Sequence, residues 1–249
     1  MNAAAIITAR SNSSRFPNKI LENITNEYKS IDILISRAKC ITDNVILATT
    51  NQNSDNELIN YVKKKYSIKI FRGSQENKLK RWFDCLKKYD LDFGCFIDGD
   101  DLAFDYNLYK NGLNLIKNKN LEIVELDKKI ITGLFTYVIS LQGLQKMSKY
   151  FLRKDDTEMI APFILKAQLK SEILPIDKEI KNKKIRLTFD YQDDLNLFKK
   201  IYNHFSITDR SDLIVGYLTK NPNLAKINYF REIDWETNHK RKLIDEEIL

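Results

Sequence analysis

Three cations lie close together near the start of the chain, directly after a short apolar run. The run, residues 3–7, has the length of one buried strand, and the cationic loop that follows it (residues 9–19) contains Arg10, Arg15 and Lys19 among serines and asparagines. A strand that leads into such a loop can hold a polyphosphate, because backbone N–H groups and cationic side chains converge at the carboxyl end of a sheet. The same pattern also fits a strand followed by a solvated loop, and spacing alone does not separate the two.

Two aspartates could supply the complementary charge. Asp100 follows an apolar run in a turn that contains Gly99, and Asp190 follows the run at residues 185–189. Glycine lets the backbone tighten, which would aim the carboxylate outward. Two carboxylates at neighbouring strand ends, together with waters and phosphate oxygens, would suit the octahedral coordination of Mg²⁺. Taken alone, Asp190 is better interpreted as the N-cap of the helix that begins near Asp193.

The residue types favour phosphate chemistry that needs no histidine. The chain has two histidines and no G-x-x-x-x-G-K-[ST] loop, which argues against His-based zinc sites, Ser-His catalysis and P-loop hydrolysis. Displacement at the α-phosphorus of a nucleoside triphosphate builds negative charge on the leaving pyrophosphate. Arg, Lys and Mg²⁺ stabilise that charge, while the attacking group needs only positioning. Nucleotidyl transfer therefore fits this composition.

The elements that would position these residues alternate between strands and helices. Apolar periodicity predicts, in order, strand 3–7, helix 30–40, strand 44–50, helix 54–66, strand 67–71, helix 76–89 and strand 93–97. This order indicates an α/β fold with a mainly parallel, doubly wound sheet, in which ligands gather at the strand carboxyl ends. Further strands are predicted at 121–126, 133–140, 171–174 and 185–189, and further helices at 106–117, 141–151, 157–166, 192–205 and 209–219.

Composition limits the class of protein. With 249 residues, 43% of them hydrophobic, the chain can form a single domain over residues 1–249. No run approaches the roughly 20 apolar residues of a membrane span, and signal-peptide features are missing, so we expect a cytoplasmic protein without membrane contact. The net charge of +7 could suggest nucleic acid, but the lysines lie in helix-like stretches, and a small anionic ligand is favoured. The three cysteines lack metal-type spacing and are expected to be buried free thiols.

Six segments in chain order resemble the motifs of one family. Residues 9–21 (ARSNSSRFPNKIL) are similar to the A-R-x-G-S-x-R-L-P-G-K-x-L signature of cytidylyltransferases that make CMP-linked acidic sugars, such as the CMP-sialate and CMP-Kdo synthetases. The spore-coat polysaccharide biosynthesis subfamily is the most similar, through residues 71–81, 98–102, 133–140, 185–195 and 221–228. The matches cover nearly the whole chain.

The resemblance implies a Rossmann-like nucleotidyltransferase fold, CTP as the donor and a homodimer. It implies that Asp100 and Asp190 hold Mg²⁺, and that residues 121–172 form a lobe for acceptor binding and dimerisation. Catalytic roles are implied for Arg10, Arg15, Lys19 and Asp100. The implied nucleotide-binding residues are Ala9, Arg10, Ser13, Arg15, Lys19, Thr49, Gly73, Ser74 and Arg81.

Some positions depart from the family's pattern at turns. Asn12 and Asn18 replace loop glycines, and Ala103 replaces a proline. Asparagine is the residue other than glycine that best tolerates positive φ, so we expect the loop turns to survive.

Other departures fall where an acceptor would bind. Phe135 and Tyr137 replace residues that are usually acidic, and Met159 replaces a histidine next to the retained Glu158. Phe135, Tyr137 and Glu158 are therefore the candidate acceptor-binding residues. The substrate could differ from the family's usual sugar.

These observations lead to one main hypothesis and two alternatives. We expect transfer of a nucleotidyl group from CTP to an anionic acceptor, a sugar acid first and a phosphonate or phosphate compound second. A catalytically degenerate member that binds only a nucleotide is the competing hypothesis, motivated by the lost Gly, Pro and His residues. Nucleic-acid binding ranks third.

Overall fold

A seven-stranded sheet forms the centre of the protein. The structure, a computed structural model, describes residues 1–127, 129–151, 157, 159–181, 183–234 and 237. In these residues the strands are β1 (Ala3–Thr8), β2 (Val45–Thr50), β3 (Lys69–Gly73), β4 (Phe93–Asp98), β5 (Ile123–Leu126), β6 (Tyr137–Ser140) and β7 (Ser171–Leu174). Their order across the sheet is β3-β2-β1-β4-β6-β5-β7.

Helices flank this sheet. In the described residues they are α1 (Ser30–Lys39), α2 (Asn56–Lys65), α3 (Lys78–Lys88), α4 (Tyr106–Lys119), α5 (Leu141–Met147), α6 (Ala161–Ala167), α7 (Gln192–His204), α8 (Ser211–Lys220) and α9 (Pro222–Tyr229). Side-chain caps fix some of the starts: the Asp105 carboxylate accepts hydrogen bonds from the N–H groups of Asn107 and Leu108, at 2.8 and 3.3 Å. Among the described helices, none has the length and apolar character needed to cross a bilayer.

The sheet is parallel on one side and mixed on the other. β1 pairs in parallel with β2 and β4, and β2 pairs in parallel with β3, whereas β6 runs antiparallel to both β4 and β5. The prediction of a mainly parallel α/β sheet is confirmed. The register places Thr8 beside Asp98 and Thr49 beside Arg72, so the carboxyl ends of the first four strands lie along one edge.

The apolar run at the start of the chain is a strand buried on both faces. Ala5 and Ile7 belong to one hydrophobic core, and Ala4 and Ile6 belong to the core on the other face. Side chains alternate between the faces of a strand, so a strand covered on both sides reads as a continuous apolar run. Trp82 joins α3 to this strand: its Nε1 donates to Thr8 Oγ1 at 2.7 Å.

The segment at residues 185–189, predicted to be a strand, does not join the sheet. It has no regular secondary structure, and the Phe189 N–H donates to the carbonyl of Asp100 at 2.8 Å. An alternating apolar pattern can pack along one neighbour without the regular ladder of a strand, which explains the wrong prediction. The path carries the chain past the end of β4 and brings Asp190 to the same edge as Asp100.

One predicted strand is shorter in the structure, and one helix of the structure was not predicted. The strand predicted at 133–140 is present only as β6, because Gly133 has φ 94° and lies so close to Leu187 that a Cβ there would be 2.1 Å from its carbonyl oxygen. The helix predicted at 209–219 is present as α8 and ends at Lys220, while Pro222 begins α9, which the sequence pattern did not predict, at a position where proline costs no hydrogen bond.

Candidate active site

The cationic loop is anchored at its start by a buried aspartate. Asp55 Oδ1 accepts a hydrogen bond from the Ser11 N–H at 2.7 Å, and Oδ2 accepts from Thr49 Oγ1 at 2.9 Å and from the Thr50 N–H at 3.0 Å. Burial by itself would raise the pKa of Asp55, but these hydrogen bonds lower it below its ordinary value. An ionised Asp55 therefore ties the loop to the end of β2.

Thr49, which the resemblance puts near the nucleotide, takes part in this anchor. Its side chain is fully buried, and its hydroxyl donates to Asp55. Thr49 therefore acts on the loop through Asp55. The sequence analysis missed Asp55, and the signal was an acidic residue a few positions after a strand that ends in two threonines.

A left-handed turn closes the loop. The Ser11 carbonyl accepts from the Asn18 N–H at 2.9 Å and from the Ser13 N–H at 3.1 Å. Asn18 has φ 57°, a left-handed conformation that asparagine tolerates better than most residues other than glycine, so this turn forms with asparagine as expected. Asn12 does not have positive φ, so its turn needs no glycine.

Lys19 lies at the centre of the site. Its Nζ donates to Asp100 Oδ2 at 3.0 Å, to Asp190 Oδ1 at 2.8 Å and to the carbonyl of Phe189 at 2.8 Å. Burial alone would lower the pKa of this ammonium, but the Coulomb attraction of Asp100 and Asp190 raises it above its ordinary value. Lys19 therefore stays protonated and joins the two aspartates, which we call the carboxylate pair.

Asp190 accepts hydrogen bonds from three cationic side chains, which a helix cap does not require. Its Oδ1 also accepts from Arg15 Nη2 at 2.7 Å, and its Oδ2 accepts from Arg186 Nη2 at 3.1 Å. Burial would raise the pKa of Asp190, but Lys19 and Arg15 lower it to about 2. Asp190 is therefore ionised throughout the physiological range.

The interpretation of Asp190 as an N-cap is wrong. The capping carboxylate of α7 is Asp194, whose Oδ2 accepts from the N–H groups of Asp190 and Tyr191 at 2.8 and 2.9 Å. Asp194 occupies the third position of the helix and reaches back, which leaves the Asp190 side chain to face the site.

A second acidic cluster lies at the end of β4. One carboxylate oxygen from each of Asp98, Asp100 and Asp101 lies within 4.8 Å of the others. Burial raises the pKa of Asp100 and Asp101, and the like charges of their neighbours raise the pKa of Asp101 further. The Asp101 Oδ2 accepts from Thr136 Oγ1 at 3.3 Å.

The donor set fits a hard divalent cation. The carboxylate pair converges on one point, and that point already attracts the positive charge of Lys19. Oxygen ligands from carboxylates are the ones that Mg²⁺ takes in proteins. Asp100 and Asp190 are therefore the residues that could hold such an ion, with Asp98 beside them.

Other residues implied in nucleotide binding contact the chain at the end of β3. Arg10 is exposed, and its single described contact is from Nη1 to the carbonyl of Gln75 at 3.4 Å. Arg81 is buried and donates from Nη1 to the Ser74 carbonyl at 2.5 Å. Burial and the charge of Arg10 lower the pKa of Arg81 to about 10. A Cβ on Gly73 would lie 2.9 Å from Arg81 Cγ, so glycine lets this arginine pack under the turn.

Ala9 and Ser13 have local roles in the loop. Ala9 is buried, and a Cβ added to Gly99 would lie 2.9 Å from the Cβ of Ala9. The turn after β4 can therefore approach the loop this closely only because residue 99 is a glycine. Ser13 Oγ accepts from the Phe16 N–H at 3.5 Å. Both residues shape the loop that presents the cations.

The candidate acceptor residues are not brought together. Phe135 stacks on Tyr109 with ring centroids 4.4 Å apart and packs against one core, whereas Tyr137 packs against the core on the other face of the sheet. Burial raises the pKa of Tyr137 to about 12, with Glu125 and Asp98 adding to the shift. Glu158 lies outside the described residues.

Lys78 is a charged residue of this region that the sequence analysis missed. Its Nζ lies 2.5 Å from Asp98 Oδ1 and 5.0 Å from the centroid of the Trp82 ring, and its side chain is 14% exposed. A lysine at the first position of a helix that follows a strand end was the available signal. It supplies a cation beside Asp98, at the carboxyl end of β4.

Comparison with known proteins identifies the family of this site. The family model of the cytidylyltransferases matches residues 4–203, a span that includes the cationic loop and the carboxylate pair. This chain belongs to the cytidylyltransferase family. An uncharacterized protein from Methanocaldococcus jannaschii is 29% identical to this cytidylyltransferase over 234 residues, which cover 92% of this chain and 95% of the relative.

Solved structures agree on the fold. A cytidylyltransferase from Leptospira borgpetersenii is similar with a TM-score of 0.82 and 23% identity, covering 90% of this chain and 97% of that one. CMP:2-keto-3-deoxy-manno-octonic acid synthetase complexed with CTP has a TM-score of 0.63 and 13% identity, covering 82% of this chain and 99% of that one. The Rossmann-like nucleotidyltransferase fold is thus confirmed, while the spore-coat subfamily stays a prediction.

Proposed function

We propose that this cytidylyltransferase transfers the cytidylyl group of CTP to an anionic acceptor, a sugar acid in the first place, and releases pyrophosphate in a Mg²⁺-dependent reaction. The observation that carries the proposal is the junction of Lys19 with both members of the carboxylate pair at the strand ends. In this arrangement the two aspartates would ligate a metal, and the adjacent Lys19 would contact phosphate oxygens. The family match supports CTP as the donor.

The chemistry that this site would support is an in-line displacement. An acceptor oxygen, which as a hydroxyl gives up its proton to solvent, forms a bond to the α-phosphorus, and the bond from that phosphorus to the bridging oxygen of the β-phosphate breaks. The electron pair leaves with pyrophosphate, so negative charge grows on the leaving group. Arg10, Arg15 and Lys19 would stabilise this charge by charge-assisted hydrogen bonds from their positions in the cationic loop.

A divalent cation would be held by Asp100 and Asp190. When bound, it would neutralise triphosphate charge and polarise the oxygen that leaves. Arg10, exposed and with one weak contact, is free to meet an incoming phosphate. Arg15 and Lys19 form ion pairs with Asp190. From the same positions they would also contact the phosphate oxygens of a bound triphosphate.

The acceptor is proposed to be anionic because the family likeness in sequence is to enzymes of acidic sugars. Lys78 supports this choice as a cation at the strand end, and the neutral hydroxyl of Tyr137 could donate to an acceptor oxygen. A phosphonate or phosphate compound is the second candidate acceptor. A homodimer built through residues 121–172 belongs to the same proposal.

A pyrophosphate-release screen tests this function. The full chain would be incubated with Mg²⁺, each of the four ribonucleoside triphosphates and a panel of 3-deoxy-2-keto sugar acids, other sugar acids and phosphonates. We expect release with CTP and at least one sugar acid, and no release after Mg²⁺ is chelated. Release only with a phosphonate would replace the acceptor class. No release with any pair would favour a degenerate, nucleotide-binding protein.

A further inference from the structure

The second oxygen of Asp190 is held from behind by a buried arginine. Oδ1 faces Lys19 and Arg15, whereas Oδ2 accepts only from Arg186 among the described contacts. The Arg186 side chain is fully buried. A guanidinium in this position fixes the plane of the Asp190 carboxylate. Oδ1 therefore stays directed at the site even when Lys19 and Arg15 leave it to contact a bound ligand.

Arg186 is itself held on two further sides. Its Nε donates to Asp194 Oδ1 at 3.2 Å, and its Nη1 donates to Glu232 Oε2 at 2.9 Å. Glu232 Oε1 accepts in turn from Thr132 Oγ1 at 2.6 Å. The planar fork of arginine is thus directed by three carboxylates, one on each nitrogen, which leaves it little freedom to rotate.

The residue that completes this arrangement comes from the end of the chain. Glu232 follows α9 and lies beyond residues 4–203, the part matched by the family model. From the same segment, Asn228 Nδ2 donates to the Arg186 carbonyl at 3.1 Å and to Asp194 Oδ1 at 2.8 Å. The segment therefore packs on the back of the site with matched polar groups.

We propose that Glu232 is a positioning residue for metal binding: through Arg186 it sets the orientation and the donor strength of Asp190. This inference rests on the proposed function, since it assumes that Asp190 ligates the metal. Without the charge of Glu232, the positive charge of Arg186 is neutralised more by Asp190, which leaves that carboxylate a weaker metal ligand. Direct partners of a metal ligand, as Arg186 would be, typically change metal affinity by about 10- to 100-fold. Glu232 acts one contact further out, so the low end of this range is expected for it.

Glu232→Gln tests the inference, because it removes the charge and keeps the size and one acceptor oxygen. Asp234→Asn is the matched control: it makes the same change two residues away, where the carboxylate pairs with the partly exposed Arg231. Mn²⁺ would be titrated into each full-length protein in the presence of an α,β-methylene analogue of CTP, and free Mn²⁺ would be followed by electron paramagnetic resonance. Thermal unfolding would be recorded for each variant.

We expect Glu232→Gln to weaken Mn²⁺ binding by about 10-fold or more, and Asp234→Asn to leave it within about twofold of wild type. Thr132→Val keeps every charge and removes only the hydroxyl that orients Glu232, so we expect a smaller loss in the same direction. This variant decides the question if Glu232→Gln does not fold.

Several results would overturn the positioning role. These are wild-type affinity in folded Glu232→Gln, an equal loss in Asp234→Asn, an unchanged affinity in Thr132→Val when Glu232→Gln is unfolded, or no Mn²⁺ binding by the wild type. Pyrophosphate release measured in parallel separates the two proposals. If the wild type releases pyrophosphate and Glu232→Gln binds Mn²⁺ with unchanged affinity, only the positioning role is contradicted. If Glu232→Gln binds Mn²⁺ more weakly but the wild type releases no pyrophosphate, only the proposed reaction is contradicted.

Discussion

The two ends of the proposed reaction are built in different ways. The donor half, formed by the cationic loop and the carboxylate pair, is joined by ionic contacts of 2.7 to 3.0 Å centred on Lys19 and Asp190. The residues proposed for the acceptor half, Phe135 and Tyr137, are aromatic side chains packed against opposite faces of the sheet. The donor half is thus defined by charge, and the acceptor half is defined by shape and packing.

The largest expected effect falls on the carboxylate pair. Asp100→Asn should lower the rate of pyrophosphate release by about 10³-fold, because a lost metal ligand removes several kcal/mol of transition-state stabilisation. The fold should persist, since Lys19 keeps Asp190 and the Phe189 carbonyl as partners. Asp190→Asn should lose activity and also stability, because it deprives two buried cations, Lys19 and Arg186, of a partner.

The comparison between these two variants is made by turnover and thermal unfolding together. Turnover of Asp100→Asn close to wild type would contradict the metal role of Asp100. Equal unfolding temperatures for the two variants would show that Asp190 does not stabilise the fold by pairing with the buried cations Lys19 and Arg186.

The donor half was largely predictable from sequence, because ionic chemistry requires particular residue types close to strand ends. Arg15, Lys19, Asp100 and Asp190 were named from their types and their places after apolar runs, and the structure brings them together. The mainly parallel sheet was predictable for the same reason, since a doubly covered strand leaves a continuous apolar run. The prediction of a strand at residues 185–189 was wrong, because the path of this segment depends on packing against the Asp100 turn.

Supporting residues were not predictable. Asp55 and Glu232 act through hydrogen bonds to residues 44 and 46 positions away along the chain. The threonines at the end of β2 are a local signal for Asp55, but no local pattern identifies the distant partner of either residue. The acceptor residues were uncertain for a related reason. An aromatic residue serves equally well in a core and against a ligand, and only the surrounding packing decides between them.

Arg10→Ala should sharpen the comparison from the donor side. Arg10 is exposed with one weak contact, so its removal should leave stability unchanged and raise the KM for CTP by about 10- to 100-fold through a lost charge-assisted hydrogen bond. The acceptor KM should not change. Arg210→Ala is the matched control, since it removes an exposed arginine that pairs with Asp212. An equal rise of the CTP KM in both variants would assign the effect to net charge alone.

Tyr137→Phe should act on the acceptor side only. The pKa of Tyr137 is raised to about 12, so its hydroxyl is a neutral donor at physiological pH. Its removal should raise the acceptor KM by roughly fivefold to tenfold and leave the CTP KM unchanged. Steady-state kinetics with the acceptor found in the screen would measure both constants. A change in the CTP KM alone would move Tyr137 into the donor half.

The smallest effect concerns pH and stability. Asp101 is buried beside Asp100 and Asp98, and its pKa is raised well above the ordinary value. A carboxyl group whose pKa is higher in the folded protein favours folding while protonated, so its ionisation costs stability as the pH rises above about 4. Asp101→Asn should therefore unfold at about 2–4 °C higher temperature than wild type at pH 7, and lose this advantage near pH 4. A variant less stable at pH 7 would show that the ionised carboxylate is needed.

Asp190 should give the opposite dependence. Its pKa is lowered to about 2, so the stability it contributes is present above pH 4 and is lost as the pH falls toward 2. Wild type and Asp190→Asn should converge in unfolding temperature over that range. A constant difference between them would mean that Asp190 is not the ionised partner of Lys19 and Arg15.

A crystal structure with the α,β-methylene analogue of CTP and Mn²⁺, located by its anomalous scattering, tests the central claim most directly. We expect Mn²⁺ bound by Asp100 and Asp190, the triphosphate along the cationic loop, and Lys19 turned from the carboxylate pair to a phosphate oxygen. A nucleotide bound elsewhere, or Lys19 still joining the two aspartates with the metal at another site, would contradict it.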